Sequence, residues 1–208
     1  MRFGLLCAAA LVLGGSSCAP RIRPLAGDTA DRQLPQTHVG RVPERVVIAW
    51  RYADRDFAVR GEGLVRLVPP DSARLDFFLA GGYGGGRAFL IGDSLIAPDA
   101  ASIERFLPPP ALLWATLGRL AVQGADTAVR VDGDTLRADI GAAPRWRVAF
   151  VDENLVRLER IEGDRLQEHV VREDSITVRY EHAAPPRRLE ITIVSREPMR
   201  GFDAEIWR

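Results

Sequence analysis

The stretch "ARLDFFLAGGYGGGRAFLIGDSLIAP", residues 73–98, carries the pattern on which the fold turns. Leu75, Phe77 and Leu79 recur at every second position, the period of a half-buried strand. Gly81, Gly82, Gly84, Gly85 and Gly86 then crowd around Tyr83, and a second apolar run leads to Gly92-Asp93. Glycine weakens helices and strands alike, so a cluster between two strand-like runs reads as a hairpin turn with Tyr83 at its tip. A phosphate cradle needs G-x-x-x-x-G-K-[ST] opening a helix, and a dinucleotide site needs G-x-G-x-x-G between strand and helix. Neither context is present, and the chain contains no lysine.

The same texture extends in both directions. Upstream lie "VVIAWRYA" and "FAVRGEGLVRLV", the first of which fits a short helix over residues 46–50 as well as a strand. Downstream, "TAVRV", "TLRADI", "RWRVAFV", "LVRLERI", "RLQEHVV", "SITVRYEH" and "RRLEITIV" are separated by turn signals such as Asp132-Gly133-Asp134 and Glu162-Gly163-Asp164. The pattern predicts a meander of about nine or ten strands. One segment departs from it: "DAASIERFLPPPALLWATLGRLAVQG". Asp99 is placed to cap a helix through Phe106, three prolines interrupt, and residues 111–120 predict a second helix with Leu112, Leu113, Thr116, Leu117 and Leu120 at helical spacing. Such a helix pair in a β protein covers one face or mouth of the sheet.

With 47% hydrophobic and 27% charged residues in 208, the chain can bury the core of a single domain. Its formal net charge is zero, so no global field draws it to nucleic acid. Arg2, an apolar run over residues 3–13 and the small residues of "GGSSCAP" describe a secretory signal over residues 1–17. The run is too short to span a bilayer. The segment resembles the lipobox of bacterial lipoproteins, which implies diacylation of Cys18 as the mature N-terminus; Gly15 stands where that motif usually has leucine. Cys7 falls in the removed region, so the mature chain has no internal disulfide. Residues 18–43, with four prolines and no period, read as a flexible tether holding a solvated His38, and residues 44–208 as the folded domain.

Catalytic and metal patterns are missing. His38, His169 and His182 are far apart in sequence, no serine sits in G-x-S-x-G, and the acidic pairs fall in turns, where Asp bonds the local backbone. The reading is therefore no enzyme, no cofactor and no metal. Apolar strand faces remain: Leu75, Phe77 and Leu79; Trp146, Val148 and Phe150; Ile176, Val178 and Tyr180; Leu189, Ile191 and Ile193. A sheet with one such face closes on a dry core or leaves an apolar cavity, and the residues by themselves leave both open.

The order of these features resembles the bacterial lipoprotein carrier and receptor superfamily (LolA/LolB-like). "GEGLVRLVPPDSARLDFFL", "GGRAFLIGDSLIAP", "RFLPPPALLWATLGRL" and the closing "RRLEITIVSREPMRGFDAEIW" carry the likeness over residues 46–208. The resemblance implies a mainly β fold, an incomplete antiparallel barrel (half-barrel) around a hydrophobic cavity, covered by helices within residues 99–121. It implies a cavity lined by Leu75, Phe77, Leu79, Leu113, Trp114, Leu117, Trp146, Val148, Phe150 and Ile191, and a monomer whose partners are acyl chains or lipoproteins and, through a lipid anchor, a membrane. The receptor branch's exposed apolar hairpin corresponds to residues 80–86, with Tyr83, flanked by Gly82 and Gly84, as the membrane-contacting residue or as a plain loop folded on the sheet. The carrier branch's lid-latching arginine corresponds to Val68, and Arg66 on the same strand face offers a substitute. Two functions follow as expectations: acyl-chain binding at the outer membrane, or a structural and assembly lipoprotein with a filled core and a protein partner.

Overall fold

The computed structural model describes residues 19–82, 84–98, 104–122, 124 and 126–207. The proposed signal, Cys18, Tyr83 and the expected helix start at Asp99 lie outside them. The strands are β1 (Asp28–Thr29), β2 (Glu44–Ala53), β3 (Ala58–Val68), β4 (Ser72–Leu79), β5 (Gly85–Ile91), β6 (Ser94–Ile96), β7 (Thr127–Asp132), β8 (Thr135–Ile140), β9 (Arg145–Val151), β10 (Asn154–Glu162), β11 (Arg165–Arg172), β12 (Thr177–His182) and β13 (Arg187–Pro198). They form one antiparallel sheet in the order β1-β7-β8-β9-β10-β11-β12-β13-β2-β3-β4-β5-β6, which does not close. The fold is an incomplete β-barrel. Residues 46–50 are strand, because Val46, Ile48 and Trp50 then fall on one buried face with Tyr52.

Because every connection is antiparallel, the turns sort to two ends. Those after β2, β4, β8, β10 and β12 lie at one end; those after β3, β5, β7, β9 and β11 lie at the other. The concave face carries the core: Trp50 and Tyr52 from β2, Leu75 and Phe77 from β4, Val148 and Phe150 from β9, Tyr180 from β12, Leu189 and Ile191 from β13. Glycine permits close approaches within it, the tightest at Gly61. A Cβ on Gly61 would stand 1.9 Å from the Phe78 carbonyl oxygen and 2.8 Å from the Trp50 ring, so β3 fits between Trp50 and the β4 backbone at this position only as glycine. Ile176, expected on the apolar face, precedes β12 and is 47% exposed. The Asp174 carboxylate there accepts the Ile176 and Thr177 amides and turns the chain outward before the strand begins.

Helix α1 (Pro110–Thr116) is shorter than the sequence period suggests. Pro110 opens it, where the missing N–H costs nothing. Gly118, at φ +91°, closes it: its N–H donates to Ala115 O at 3.1 Å and the Arg119 N–H to Trp114 O at 3.0 Å, a Schellman closure. Of the expected first helix, the described residues show a single 3-10 turn, Glu104–Phe106.

Residues 19–43 do not form the free tether that their composition suggests. Arg21 bridges Arg165, the Ile22 N–H donates to Asp164 O at 2.9 Å, the Leu166 N–H to Pro20 O at 2.9 Å, and the Ala30 N–H to Val129 O at 3.1 Å. Arg147 Nη1 donates to Arg23 O at 2.7 Å, and Asp28 and Thr29 pair with β7 as an edge strand. The segment straps the outer face from β11 to β7. Ala149, buried outside the main core, lies beneath it. Val39 then enters the core, and the Thr37 hydroxyl accepts the Leu120 amide at 2.6 Å; His38 stays exposed. The period was invisible because the strap pairs mainly through backbone groups. In hydrogen exchange the Ile22 and Ala30 amides are expected to be protected well above random-coil rates; exchange as fast as an unstructured peptide would mean that the strap is detached in solution.

Candidate functional site

The concave interior is divided in two. Toward the end that carries Gly92-Asp93 it is filled by α1: Leu112, Leu113 and Trp114 are 0% exposed. The Trp114 Nε1–H donates to Gly92 O at 2.6 Å, and the Arg119 guanidinium lies 4.7 Å above the indole. Leu113 and Trp114 are therefore core residues rather than walls of an empty volume. Leu117 packs against this core, part-buried, as does Trp146. Leu75, Val148, Phe150 and Ile191 are buried within the same cluster.

Toward the opposite end a cavity of about 140 Å³ remains. Trp50, Phe77, Leu79, Gly84, Gly85, Phe106, Leu107 and Leu189 line it. Its walls are apolar side chains and glycine backbone. Trp50 and Phe77 meet edge to face at 5.7 Å and set its floor. Of the ten residues expected to line a cavity, Phe77 and Leu79 do so; the sequence reading missed Trp50, Phe106, Leu107 and Leu189. Leu189 was visible as an inward strand position, and Trp50 would have followed once its segment was read as strand.

The glycine cluster shapes one wall. Gly81, Gly82 and Gly84 adopt φ of +95°, +76° and +100°, where other residues are strained. The Leu79 N–H donates to Gly84 O at 3.1 Å and the Gly82 N–H to Leu79 O at 3.2 Å, so the β4–β5 connection is a compact hairpin. A Cβ on Gly85 would stand 2.3 Å from Phe77 O. The cluster therefore serves both a turn and a close approach of backbone to the cavity floor.

Above the cavity, the segment bearing Phe106 and Leu107 is held by aromatic and cationic contacts. Phe106 lies 4.8 Å from Tyr52 and 5.8 Å from Phe57, while Arg105 stacks 4.0 Å over Phe57. Arg187 reaches the Arg105 carbonyl at 3.5 Å. Arg187 also faces Glu168, which is 2% exposed. Glu168 accepts the Tyr180 hydroxyl at 2.6 Å and Arg160 Nη1 at 3.0 Å. Burial, then the Glu168 carboxylate, hold the Tyr180 phenol far above its ordinary pKa, so it is a donor at any physiological pH. Burial and the Asp54 carboxylate raise Tyr52 likewise. Arg66 is not part of this arrangement. It bonds Asp76 beside Arg74 on the outer face, while its neighbours Val65 and Leu67 point into the core. Val68 shares that outer face, paired with Ser72. Among the described residues, Arg187 on the last strand reaches the segment bearing Phe106, and no local motif marks it.

His169 and His182 stand opposite Glu181 and Glu168 on adjacent strands, so their rings leave opposite faces and do not converge. Among the described residues no group of three or more His, Cys, Asp or Glu is placed to hold a metal. None of the described helices is long and apolar enough to cross a membrane. The arrangement can enclose an apolar segment and present arginines at its rim.

No protein-family model matches the chain, and no curated protein sequence does. Solved structures do. A LolA superfamily protein from Nitrosomonas europaea aligns at a TM-score of 0.53 and 12% identity, over 80% of this chain and 90% of its own. A structure described as an outer membrane lipoprotein-sorting protein domain, from Vibrio parahaemolyticus, aligns at 0.50 and 5% identity, over 81% and 90%. At these identities the likeness is one of fold. The chain has a LolA/LolB-like fold.

Proposed function

We propose that this chain is a non-enzymatic envelope lipoprotein, anchored through Cys18 at the outer membrane, that takes a lipid or lipoprotein acyl chain into the cavity beside the glycine hairpin. The observation that carries the reading is a cavity of about 140 Å³ walled by apolar side chains and glycine. An apolar cavity of about 150 Å³ stays dry and takes up benzene, so this volume suits about six carbons. At about 0.8 kcal/mol per buried CH₂, such a segment is held by about 5 kcal/mol with no charge and no catalyst. A longer chain needs Phe106 and Leu107 to swing aside, and these sit on the connection between β6 and α1 rather than in the sheet. The named role of the Vibrio domain, lipoprotein sorting, is consistent with the same cargo here.

The test is native mass spectrometry with lipid extraction on protein purified without detergent, followed by titration with a fluorescent fatty acid. A co-purified acyl lipid or saturable uptake supports the reading; a clean apo mass with no uptake ends it. Leu79→Trp, which places an indole in the cavity, is expected to weaken uptake about tenfold or more while shifting Tm by no more than about 3 °C.

The second reading, an assembly lipoprotein acting through a protein partner, is favoured by one observation: the core beneath α1 is filled. Failure of uptake together with intact stability would leave that reading standing.

A further inference from the structure

The outer face of the sheet carries a row of arginines. Register places Arg130 opposite Arg137, Arg137 opposite Ala149, Ala149 opposite Arg157, Arg157 opposite Val171 and Val171 opposite Arg179. Residues paired in this way share one face, so β7 to β12 present four arginines in one line, with an alanine and a valine between them. The inner face is not involved, since Val148, next to Ala149, belongs to the core. Like charges directly opposite one another weaken a sheet, so Arg130 beside Arg137 needs compensating acceptors. Gly27 O supplies one for Arg130 at 2.9 Å. Arg137 has Asp132 at 3.4 Å, and its Nε–H is buried without an acceptor among the described residues.

The strap crosses this row. Between it and β8, β9 and β10 lies a groove of about 340 Å³, within the range of about 300–1,000 Å³ typical of small-molecule sites. Among its described lining residues, Arg21, Arg23, Arg137, Arg147 and Arg157 stand against a single carboxylate, Glu159. Arg21 is neutralised by Asp164 at 3.2 Å and Arg147 by Asp139 at 2.7 Å, while Arg157 meets Glu159 through Nε at 2.6 Å. Arg23 is exposed on the strap, and its side chain has neither an ion pair nor a hydrogen bond among the described residues. Arg137 and Arg157 stand on the strands either side of Ala149, about 10 Å apart at the backbone from two strand spacings. The alanine methyl forms the floor between them.

We propose that this groove is a binding site for a phosphate group, held by Arg23, Arg137 and Arg157 above Ala149. The sign of the ligand follows from the charges: with Asp139 and Asp164 engaged by Arg147 and Arg21, the guanidinium groups of Arg23 and Arg137 are left short of carboxylates. Its shape follows from their placement. A tetrahedral oxyanion accepts hydrogen bonds in several directions at once, from the two strands at its sides and from the strap above, whereas a flat carboxylate takes one guanidinium fork. The groove lies on the face opposite the apolar cavity, so it does not depend on the acyl-chain reading.

The full chain would be titrated with glycerol 3-phosphate at low ionic strength while amide chemical shifts are followed. Saturating shifts at Arg23 and Ala149, with a Kd of about 1 mM or below, are expected. Arg23→Ala and Arg137→Gln are each expected to raise that Kd about tenfold or more. Arg179→Gln, in the same row but outside the groove, is expected to leave it unchanged. Since the Arg23 side chain bonds nothing in the fold, its removal tests binding without a change in stability. Glycerophosphoglycerol, a soluble phosphodiester headgroup, separates two sources of the phosphate. Binding as tight as that of the monoester assigns a lipid headgroup, and binding about tenfold weaker assigns a free phosphate monoester; either result keeps the site. No saturation, equal binding of acetate, an equal loss in Arg179→Gln, or a rise in Kd below about threefold in Arg23→Ala or Arg137→Gln overturns it.

Discussion

Trp114→Ala is expected to destabilise the fold by about 3–5 kcal/mol, measured by urea unfolding at neutral pH. The indole is 0% exposed and its Nε1–H supplies the Gly92 carbonyl with a partner at 2.6 Å. Truncation therefore leaves both a cavity under α1 and an unpaired carbonyl, and the contact of the indole with Arg119 is lost as well. For a domain of this length the change corresponds to a fall in Tm of about 6–20 °C. Trp146→Ala, at a part-buried position on β9, is the comparator and is expected to cost less than half as much. A loss below about 1 kcal/mol for Trp114→Ala, accompanied by reduced acyl uptake, would mean that α1 lines the ligand space after all. The same experiment thus separates a filled core from a second cavity.

The β architecture was legible because its signal is local and repeated. Alternation in "ARLDFFLA" or "RWRVAFV" sets which side chains are buried, and the turn residues after each run set where the chain reverses. The extent of α1 was less legible: the leucine period runs through Leu120, but Gly118 can adopt positive φ, and that backbone property ended the helix. The strap could not be read at all, since the Ile22 and Ala30 amides bond carbonyl groups and leave no side-chain period. For the cavity, the sequence showed which faces are apolar but not how much volume the helix fills. That depends on where Leu113 and Trp114 land between strands distant in sequence. The rim cluster was hidden for the same reason. Glu168, Tyr180 and Arg187 lie on three successive strands, and each reads as an ordinary strand residue until register brings them together.

That cluster sets the second large effect. Glu168→Ala is expected to cost about 3–5 kcal/mol, because it leaves charged groups beside the core without their carboxylate. Arg160 and Arg187 converge on Glu168 at 3.0 and 3.5 Å, and the buried Tyr180 hydroxyl has its acceptor there. The two arginine side chains retain 34% and 27% exposure, so water relieves part of the penalty and the lower half of the range is expected. Glu168→Gln keeps an acceptor for Tyr180 and loses only the charge, with an expected cost of about 1–2 kcal/mol. The order Ala, then Gln, then wild type in urea midpoint is the signature of a buried charge cluster. Equal midpoints for all three would mean that solvent already satisfies the arginines. The cluster also reaches the cavity, since Arg187 holds the Arg105 carbonyl next to Phe106. Releasing Arg187 from Glu168 is therefore expected to alter the rate of acyl uptake in Glu168→Gln, a variant stable enough to assay. A Glu168→Gln protein with lowered stability and unaltered uptake kinetics would confine the cluster to holding the sheet together.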